Sequence, residues 1–444
     1  MKSSITEGSI FKSLTRFALP ILFSLVLQAL YGAVDLWMVS QFATKAEVAA
    51  VSNGSQAMMI VNGIITGLAM GITILLGEAI GKKDDKRCSK ILGSSIWLFL
   101  GIAIILTIVI ISSSGALLNI LNVSEEAFNQ AFGYLLICGG GTIFVVAYNL
   151  LNGLFCGIGD SKTPLIFVAV ATVVNIILDY TLIDILKMGA IGAAIATISA
   201  QAVSVVFTLI IIKRKLPFSV FKEDLKPNFK LSLEMIKLGL PVAILRMCNE
   251  ISYLVILGFV NKLDVTSAAG VGIAEKLVMF ILLIPTAYMS SISAFVAINR
   301  GAGNYIRARK SLWVGMITAL VIGGVMSYLS FFHGDLLSRI FISDSEVIKA
   351  SSEFLKATAI ECLILSLAYC YDGYFNGVEK TTFVMIQGVA ASLLVRIPYA
   401  FYASTQEAPS LFNIGLSTAI AAIFMLIISA IYYLIVNKKN KEIL

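Results

Sequence analysis

Four polar side chains lie inside long apolar stretches of the first half of the chain. Asp35 lies about six residues, roughly 8 to 9 Å along a helix, from the end of its apolar stretch. Asn175 and Asp179 are one helical turn apart on a second stretch, and Thr197 lies at a similar depth on a third. A carboxylate at the centre of a bilayer costs about 2.5 to 3.5 kcal/mol, so we expect each to face a partner or a cavity.

Two carboxyl groups, an amide and a hydroxyl at one depth could bind a proton or a metal cation. Two acids in a medium of low dielectric do not easily ionise together, so they can share a proton. If both stay ionised, Asp35, Asn175, Asp179 and Thr197 offer the oxygen ligands that a hard cation such as Na⁺ requires. A hydrogen-bond network that only holds three helices together explains their depth equally well.

The second half of the chain carries a different set of intramembrane charges. Arg246 and Glu250 are spaced at i, i+4 and can neutralise each other on one helix face. Alternatively, Glu250 faces a central cavity and attracts cations, with Arg246 beside it; Glu361 is a further candidate. Flexible or aromatic side chains would let such a cavity accept many shapes, although each is equally suited to packing. The candidates for this cavity are Met247, Tyr253 and Met289.

The composition places these residues in a membrane. The chain is 58% apolar and only 13% charged, with a mean hydropathy of +0.93, which is too apolar for a water-facing surface. Apolar windows, each long enough to cross the hydrocarbon core as a helix, predict twelve transmembrane helices and an all-α polytopic membrane protein. The windows are 14–40, 52–77, 91–114, 131–152, 164–186, 190–212, 234–260, 267–297, 311–332, 352–372, 382–404 and 410–436.

An internal repeat divides the twelve helices into two bundles of six. Phe17-Ala-Leu-Pro20 returns as Leu238-Gly-Leu-Pro241, and Asn152-Gly153 returns as Asp372-Gly373, at an offset of about 220 residues. Such repeats are typical of transporters, in which two similar bundles rock around a shared site. We therefore predict an N-lobe at 1–212, a cytoplasmic linker at 213–233 and a C-lobe at 234–444.

The basic residues predict the orientation. With the N-terminus inside, the inner segments hold 24 Lys and Arg and the outer loops hold 6, which favours cytoplasmic termini in a multi-pass protein of the cell membrane. This bias accounts for most of the net charge of +7, so nucleic-acid binding is not expected.

Enzyme and nucleotide functions find little support. The single histidine, His333, has no partner in its neighbourhood that would make a catalytic triad. The segment Gly157 to Thr163 lacks the spacing of a phosphate-binding loop. We predict a protein that is not an enzyme and needs no nucleotide or cofactor, so that active transport would draw on an ion gradient.

The chain resembles the multidrug and toxic compound extrusion (MATE) family over nearly its whole length. The resemblance rests on the paired halves, on Pro20 followed by Ala33-Val-Asp-Leu-Trp-Met-Val39, and on Val174-Asn-Ile-Ile-Leu-Asp-Tyr180. The polar cluster of the DinF-like and archaeal branch is reproduced by Gln28, Tyr31, Asp35, Asn175, Asp179 and Thr197.

The resemblance implies that Asp35 is the principal coupling acid and that Pro20 lets the first helix bend. It also implies a secondary antiporter, acting by rocker-switch alternating access. We expect a monomer that exports amphipathic, often cationic organic compounds in exchange for H⁺ or Na⁺. A lipid-linked oligosaccharide flippase of the same superfamily is the alternative, although it should need a larger, more cationic cavity.

Overall fold

The computed structural model describes residues 5–120 and 123–440, and every regular element within these ranges is helical. In the first half, a π-helical stretch follows α6 and a short 3-10 turn follows α7. The elements are α1 (Ile10–Phe42), α2 (Lys45–Gly81), α3 (Asp85–Ile120), α4 (Glu125–Gly140), α5 (Thr142–Gly157), α6 (Lys162–Asp179), a π stretch (Tyr180–Ile185), α7 (Gly189–Lys215) and the 3-10 turn (Lys222–Leu225).

The second half has a similar plan with different breaks. A second π stretch lies between α14 and α15. The elements are α8 (Phe229–Val260), α9 (Val265–Ile281), α10 (Leu283–Gly301), α11 (Tyr305–Phe332), α12 (Gly334–Ser338), α13 (Ser345–Gly377), α14 (Thr381–Ala390), a π stretch (Ala391–Arg396), α15 (Ile397–Ser404) and α16 (Leu411–Asn440).

These helices confirm the prediction of an all-α protein with twelve spans. Within the described residues, eleven helices are long and apolar enough to cross a membrane. The twelfth span is α4 with α5, which are bent by 51° at Gly141. Three consecutive glycines, Gly139 to Gly141, lower the helix propensity at this bend.

The outside of the helices suits a hydrocarbon solvent. Large apolar side chains such as Ile105, Ile210 and Leu394 are 62%, 70% and 72% exposed. In water so much exposed apolar surface would drive association, whereas in lipid it contacts acyl chains.

Side-chain caps fix where helices begin outside the apolar stretches. Thr44 and Glu47 form a reciprocal capping box at the start of α2. Asp264 caps α9 by accepting hydrogen bonds from the hydroxyl of Ser267 at 2.6 Å and its backbone N–H at 2.8 Å. These bonds favour the carboxylate and hold the pKa of Asp264 below its ordinary value.

The chain forms two compact units. The first contains Leu19–Ala243 and Gly301–Gly303; the second contains residues 5–18, Ile244–Arg300 and residues 304–440. The units therefore differ from the predicted division 1–212, 213–233 and 234–444, because both α1 and α8 contribute to each unit. At 33 and 32 residues, each is about 50 Å long, and the division falls next to Pro20 in α1 and close to Pro241 in α8.

Candidate functional site

One face of α1 supplies three polar side chains to the first unit. Gln28, Tyr31 and Asp35 are spaced at i, i+3 and i+7, which places them along one side of the helix. The side chain of Asp35 is only 7% exposed, whereas Gln28 and Tyr31 are partly buried. The α1 segment therefore holds an acid inside the bundle with an amide and a phenol on the turns before it.

The end of α6 supplies the second acid. Asn175 and Asp179 lie one turn apart and are both fully buried. Directly after Asp179 the chain changes to the π stretch Tyr180–Ile185, whose wider turns are common at functional sites. The window 164–186 predicts a single helix here, because hydropathy does not distinguish the hydrogen bonds of an α-helix from those of a π-helix.

The carboxyl groups of Asp35 and Asp179 are direct neighbours. The Tyr31 hydroxyl lies close to both of them and to the Thr197 hydroxyl of α7. The structure thus brings together four residues that are separated by as many as 166 positions in the sequence. We call Tyr31, Asp35, Asn175, Asp179, Thr197 and Gln201 the acid cluster.

Three residues that neighbour Asp35, Tyr31 or Thr197 were not among the predicted ion-coupling residues. Gln201 is one turn beyond Thr197 on α7, so its i+4 spacing could have indicated it. Tyr134 and Cys138 of α4 are 3% and 2% exposed and lie close to Asp35 and Tyr31. Helix α4 carries no intramembrane charge, so nothing in its sequence indicates that it borders this site.

Many buried polar atoms of the acid cluster have no hydrogen-bond partner within the described residues. They are the Tyr31 hydroxyl, Asp35 Oδ1, both side-chain polar atoms of Asn175, both carboxylate oxygens of Asp179, the Thr197 hydroxyl and Gln201 Oε1. Each buried atom left without a partner costs about 1 to 3 kcal/mol. A network that served only to hold helices together would satisfy more of these atoms internally.

The donor set fits two occupants. A proton shared by Asp35 and Asp179 would relieve their repulsion, and oxygen atoms from Asp35, Asn175, Asp179 and Thr197 match the preferences of a sodium ion. Within residues 5–120 and 123–440, no group of three or more His, Cys, Asp or Glu side chains could hold a metal. A site for a sulfur- or imidazole-preferring metal is therefore not indicated in that part of the chain.

The predicted cavity residues of the second unit lie on α8 and α10. Glu250 is exposed, whereas Arg246, Met247 and Tyr253 are partly buried on α8. Met289 of α10 is 6% exposed and packs in the interior. Across the described residues, Arg246 and Glu250 are near enough to interact but form no ion pair within 4.0 Å.

Glu361 of α13 is the most buried acid near this face. It is 1% exposed and accepts hydrogen bonds from the Tyr253 hydroxyl at 2.9 Å and from the Thr418 hydroxyl at 2.8 Å. Its two carboxylate oxygens are each satisfied by a neighbouring helix. Glu361 therefore ties α8, α13 and α16 together within the second unit.

Twelve membrane spans and a sequence made of two similar halves define a polytopic transporter fold. The MatE family model matches residues 20–181 and again residues 241–402. The second match begins and ends 221 residues after the first. The chain belongs to the multidrug and toxic compound extrusion family, whose members are transporters and not enzymes. The double match also supports the internal repeat.

Two curated relatives that match most of the chain are described as probable multidrug resistance proteins. The probable multidrug resistance protein YpnP of Bacillus subtilis is 27% identical over 431 residues, covering 96% of both chains. The probable multidrug resistance protein NorM of Thermotoga maritima is 28% identical over 402 residues, covering 88% of this chain and 85% of that protein. The fold matches the crystal structure of a MATE protein in complex with MaL6, with a TM-score of 0.91 at 18% identity and coverage of 99% and 100%.

Proposed function

We propose that this multidrug efflux transporter is an antiporter that exports amphipathic, often cationic organic compounds in exchange for H⁺ or Na⁺. The observation that carries the proposal is the acid cluster, in which two neighbouring buried carboxyl groups are surrounded by polar atoms without partners among the described residues. Such a site can gain and lose a proton or a sodium ion during each cycle. This exchange would supply the energy for export.

Occupancy of the acid cluster would be linked to the shape of α1. Asp35 lies fifteen residues after Pro20 on the same helix, and Pro20 donates no backbone hydrogen bond. A change of charge at Asp35 alters how the neighbouring turns of α1 pack against Asp179, and bending is least costly near Pro20. Pro20 is therefore proposed as the hinge and Asp35 as the group that controls it.

Asp35→Asn tests the proposal. The amide keeps the shape of the side chain but cannot exchange a proton or stay anionic, so gradient-driven efflux should be lost while binding of the exported compound persists. Efflux of ethidium from cells and binding of ethidium to the purified variant measure these two properties.

Asp335→Asn is the matched control for that test. Asp335 lies on the short helix α12, which belongs to the second unit and not to the first, and this variant should transport like the wild type. If Asp35→Asn exports ethidium at the wild-type rate, coupling does not depend on Asp35. If it fails to fold while the control folds, the cluster is structural.

A further inference from the structure

Two arginines of the second unit lie inside the membrane-spanning helices with no carboxylate of the described residues in direct ion-pair contact. Arg246 is on α8, and Arg396 is the last residue of the π stretch Ala391–Arg396. Among the described residues, neither forms an ion pair within 4.0 Å. The Nε atoms of both are buried and lack a hydrogen-bond partner in that part of the chain. A buried cation without such a partner is costly.

Arg396 is held in place by contacts that leave part of its guanidinium unused. The side chain is 3% exposed, and its guanidinium carbon lies 4.8 Å from the centre of the Tyr253 ring, a cation–π contact. Nη1 donates to the Ser252 hydroxyl over a long 3.5 Å. Ser392, one turn before Arg396, donates to Asn249 Oδ1 at 3.0 Å and fastens the π stretch to α8.

The two guanidinium groups share neighbours. Both lie within electrostatic range of the Glu250 carboxylate and of the Tyr369 hydroxyl on α13. Arg246 lies on α8 two turns before Tyr253, and Arg396 contacts the Tyr253 ring, so the two arginines converge on one region of the second unit. Glu361 also lies near Arg396, but its oxygens already accept hydrogen bonds from Tyr253 and Thr418. This region therefore contains two guanidinium groups and the Glu250 carboxylate, and the Nε donors of both arginines are without a partner among the described residues.

The repeat relates Arg396 to one residue of the acid cluster of the first unit. When the two family matches are superposed by their common offset, Asn175 corresponds to Arg396. The second unit therefore has an arginine where the first unit has an amide one turn before Asp179. The two halves thus carry different charges at this position.

We propose that Arg246 and Arg396 form a subsite for the carboxylate of a zwitterionic organic substrate, with Glu250 facing its cationic part. The planar guanidinium fork matches a carboxylate in two parallel hydrogen bonds. The proposal rests on the proposed export of organic compounds and deepens it by naming a substrate class. It predicts that the second unit distinguishes a free acid from its ester.

Rhodamine 110 and rhodamine 123 provide that comparison, because the second dye is the methyl ester of the first. Binding to the purified full-length protein is measured by fluorescence anisotropy for the wild type, Arg246→Gln and Arg396→Gln. Each variant should bind rhodamine 110 about tenfold more weakly, as expected for a lost hydrogen bond to a charged group. Binding of rhodamine 123 should change less than about threefold.

Three further measurements make the outcome decisive. Arg339→Gln, an exposed position in the second unit, should bind both dyes like the wild type. Arg396→Lys retains the charge without the fork and should recover only part of the lost affinity. Gradient-driven export of rhodamine 123 by the wild type reports on the proposed function independently of the carboxylate subsite.

Equal losses for both dyes, or unchanged rhodamine 110 binding in both glutamine variants, would overturn the subsite. Folded wild-type protein that does not bind rhodamine 110 would also overturn it. Arg246 makes no hydrogen bond or ion pair within the described residues that its removal would break, so Arg246→Gln decides the question if Arg396→Gln does not fold.

Discussion

At the scale of single residues, the two units use their buried polar groups differently. The acid cluster of the first unit leaves both oxygens of Asp179 without a partner among the described residues, whereas Glu361 of the second unit is satisfied by Tyr253 and Thr418. Unsatisfied buried carboxyl groups can respond to a change of occupant, while satisfied ones stabilise the packing. This contrast favours the first unit as the place where a coupling ion acts.

The two acids of the first unit could be recognised from the sequence, because a charged residue inside an apolar stretch is costly in a membrane and therefore rare. Asp35 and Asp179 could be paired by depth alone. Tyr134 and Cys138 could not, because a tyrosine or cysteine in an apolar helix is equally consistent with packing. The role of each residue in coupling stays a prediction.

Glu250→Gln should weaken the export of cationic compounds more than that of neutral ones. Glu250 is exposed and has no ion pair within 4.0 Å inside the described ranges, so no direct ion pair competes with a cation for its carboxylate. We expect roughly a fivefold loss for a cationic dye, since a partly exposed charge pair contributes about 1 kcal/mol.

Efflux of ethidium and of an uncharged dye from the same cells measures the difference. Glu126→Gln, an exposed position at the start of α4, is the control. Equal losses for both dyes with poor folding would instead show that Glu250 acts by neutralising Arg246.

At the scale of helices, hydropathy predicted the number of spans but not their internal breaks. Hydropathy averages the polarity of a whole membrane-crossing segment, and this average is the same for an α-helix and for a π stretch. The 51° bend between α4 and α5 and the π stretches after α6 and α14 depend on local hydrogen bonding and packing. The first π stretch directly follows Asp179, and the second ends at Arg396.

Helix α8 packs closely against α2 within the first unit through small residues. Gly67 and Gly71 of α2 form a small-xxx-small pattern, which lets two helix backbones approach in a membrane. A Cβ atom at Gly71 would meet the backbone carbonyl of Met235, and one at Gly67 would meet the backbone of Ala243. Backbone atoms cannot rotate away as the end of a side chain can.

Gly71→Ala should therefore destabilise the protein by about 2 to 4 kcal/mol, because the contact must open to accept the methyl group. The unfolding temperature in detergent, followed by circular dichroism, measures the effect. Gly101→Ala is the control, since nothing among the described residues lies within 4 Å of a Cβ atom added there. Similar unfolding temperatures for the two variants would show that α2 and α8 are not packed this closely.

At the scale of the whole molecule, composition and repetition were sufficient to predict the fold class, whereas the family was predicted from a resemblance carried by the motifs around Asp35 and Asp179. A chain that is 58% apolar must place its helices in lipid, and a doubled sequence must build two similar bundles. The division of α1 and of α8 between the two units could not be predicted, because the sequence repeat assigns each of these helices as a whole to one half of the chain. The compact units instead divide each long helix close to its proline.

Both termini and the segment between α7 and α8 should face the cytoplasm, given the bias of 24 to 6 basic residues. A cysteine at position 228, introduced as Asn228→Cys in a variant without native cysteines, should react with a membrane-impermeant maleimide only after the cells are opened. A cysteine introduced as Glu407→Cys, between α15 and α16, should react in intact cells. Reaction at position 228 in intact cells would reverse the proposed orientation.

The central claim is that export is driven by exchange for an ion. Purified protein in proteoliposomes, loaded with ethidium and given either a pH gradient or a sodium gradient, tests it most directly. We expect at least one gradient to move the dye against its own concentration gradient, and we expect this movement to stop when the ion gradient is collapsed. Ethidium movement that is the same with and without either gradient would contradict the account.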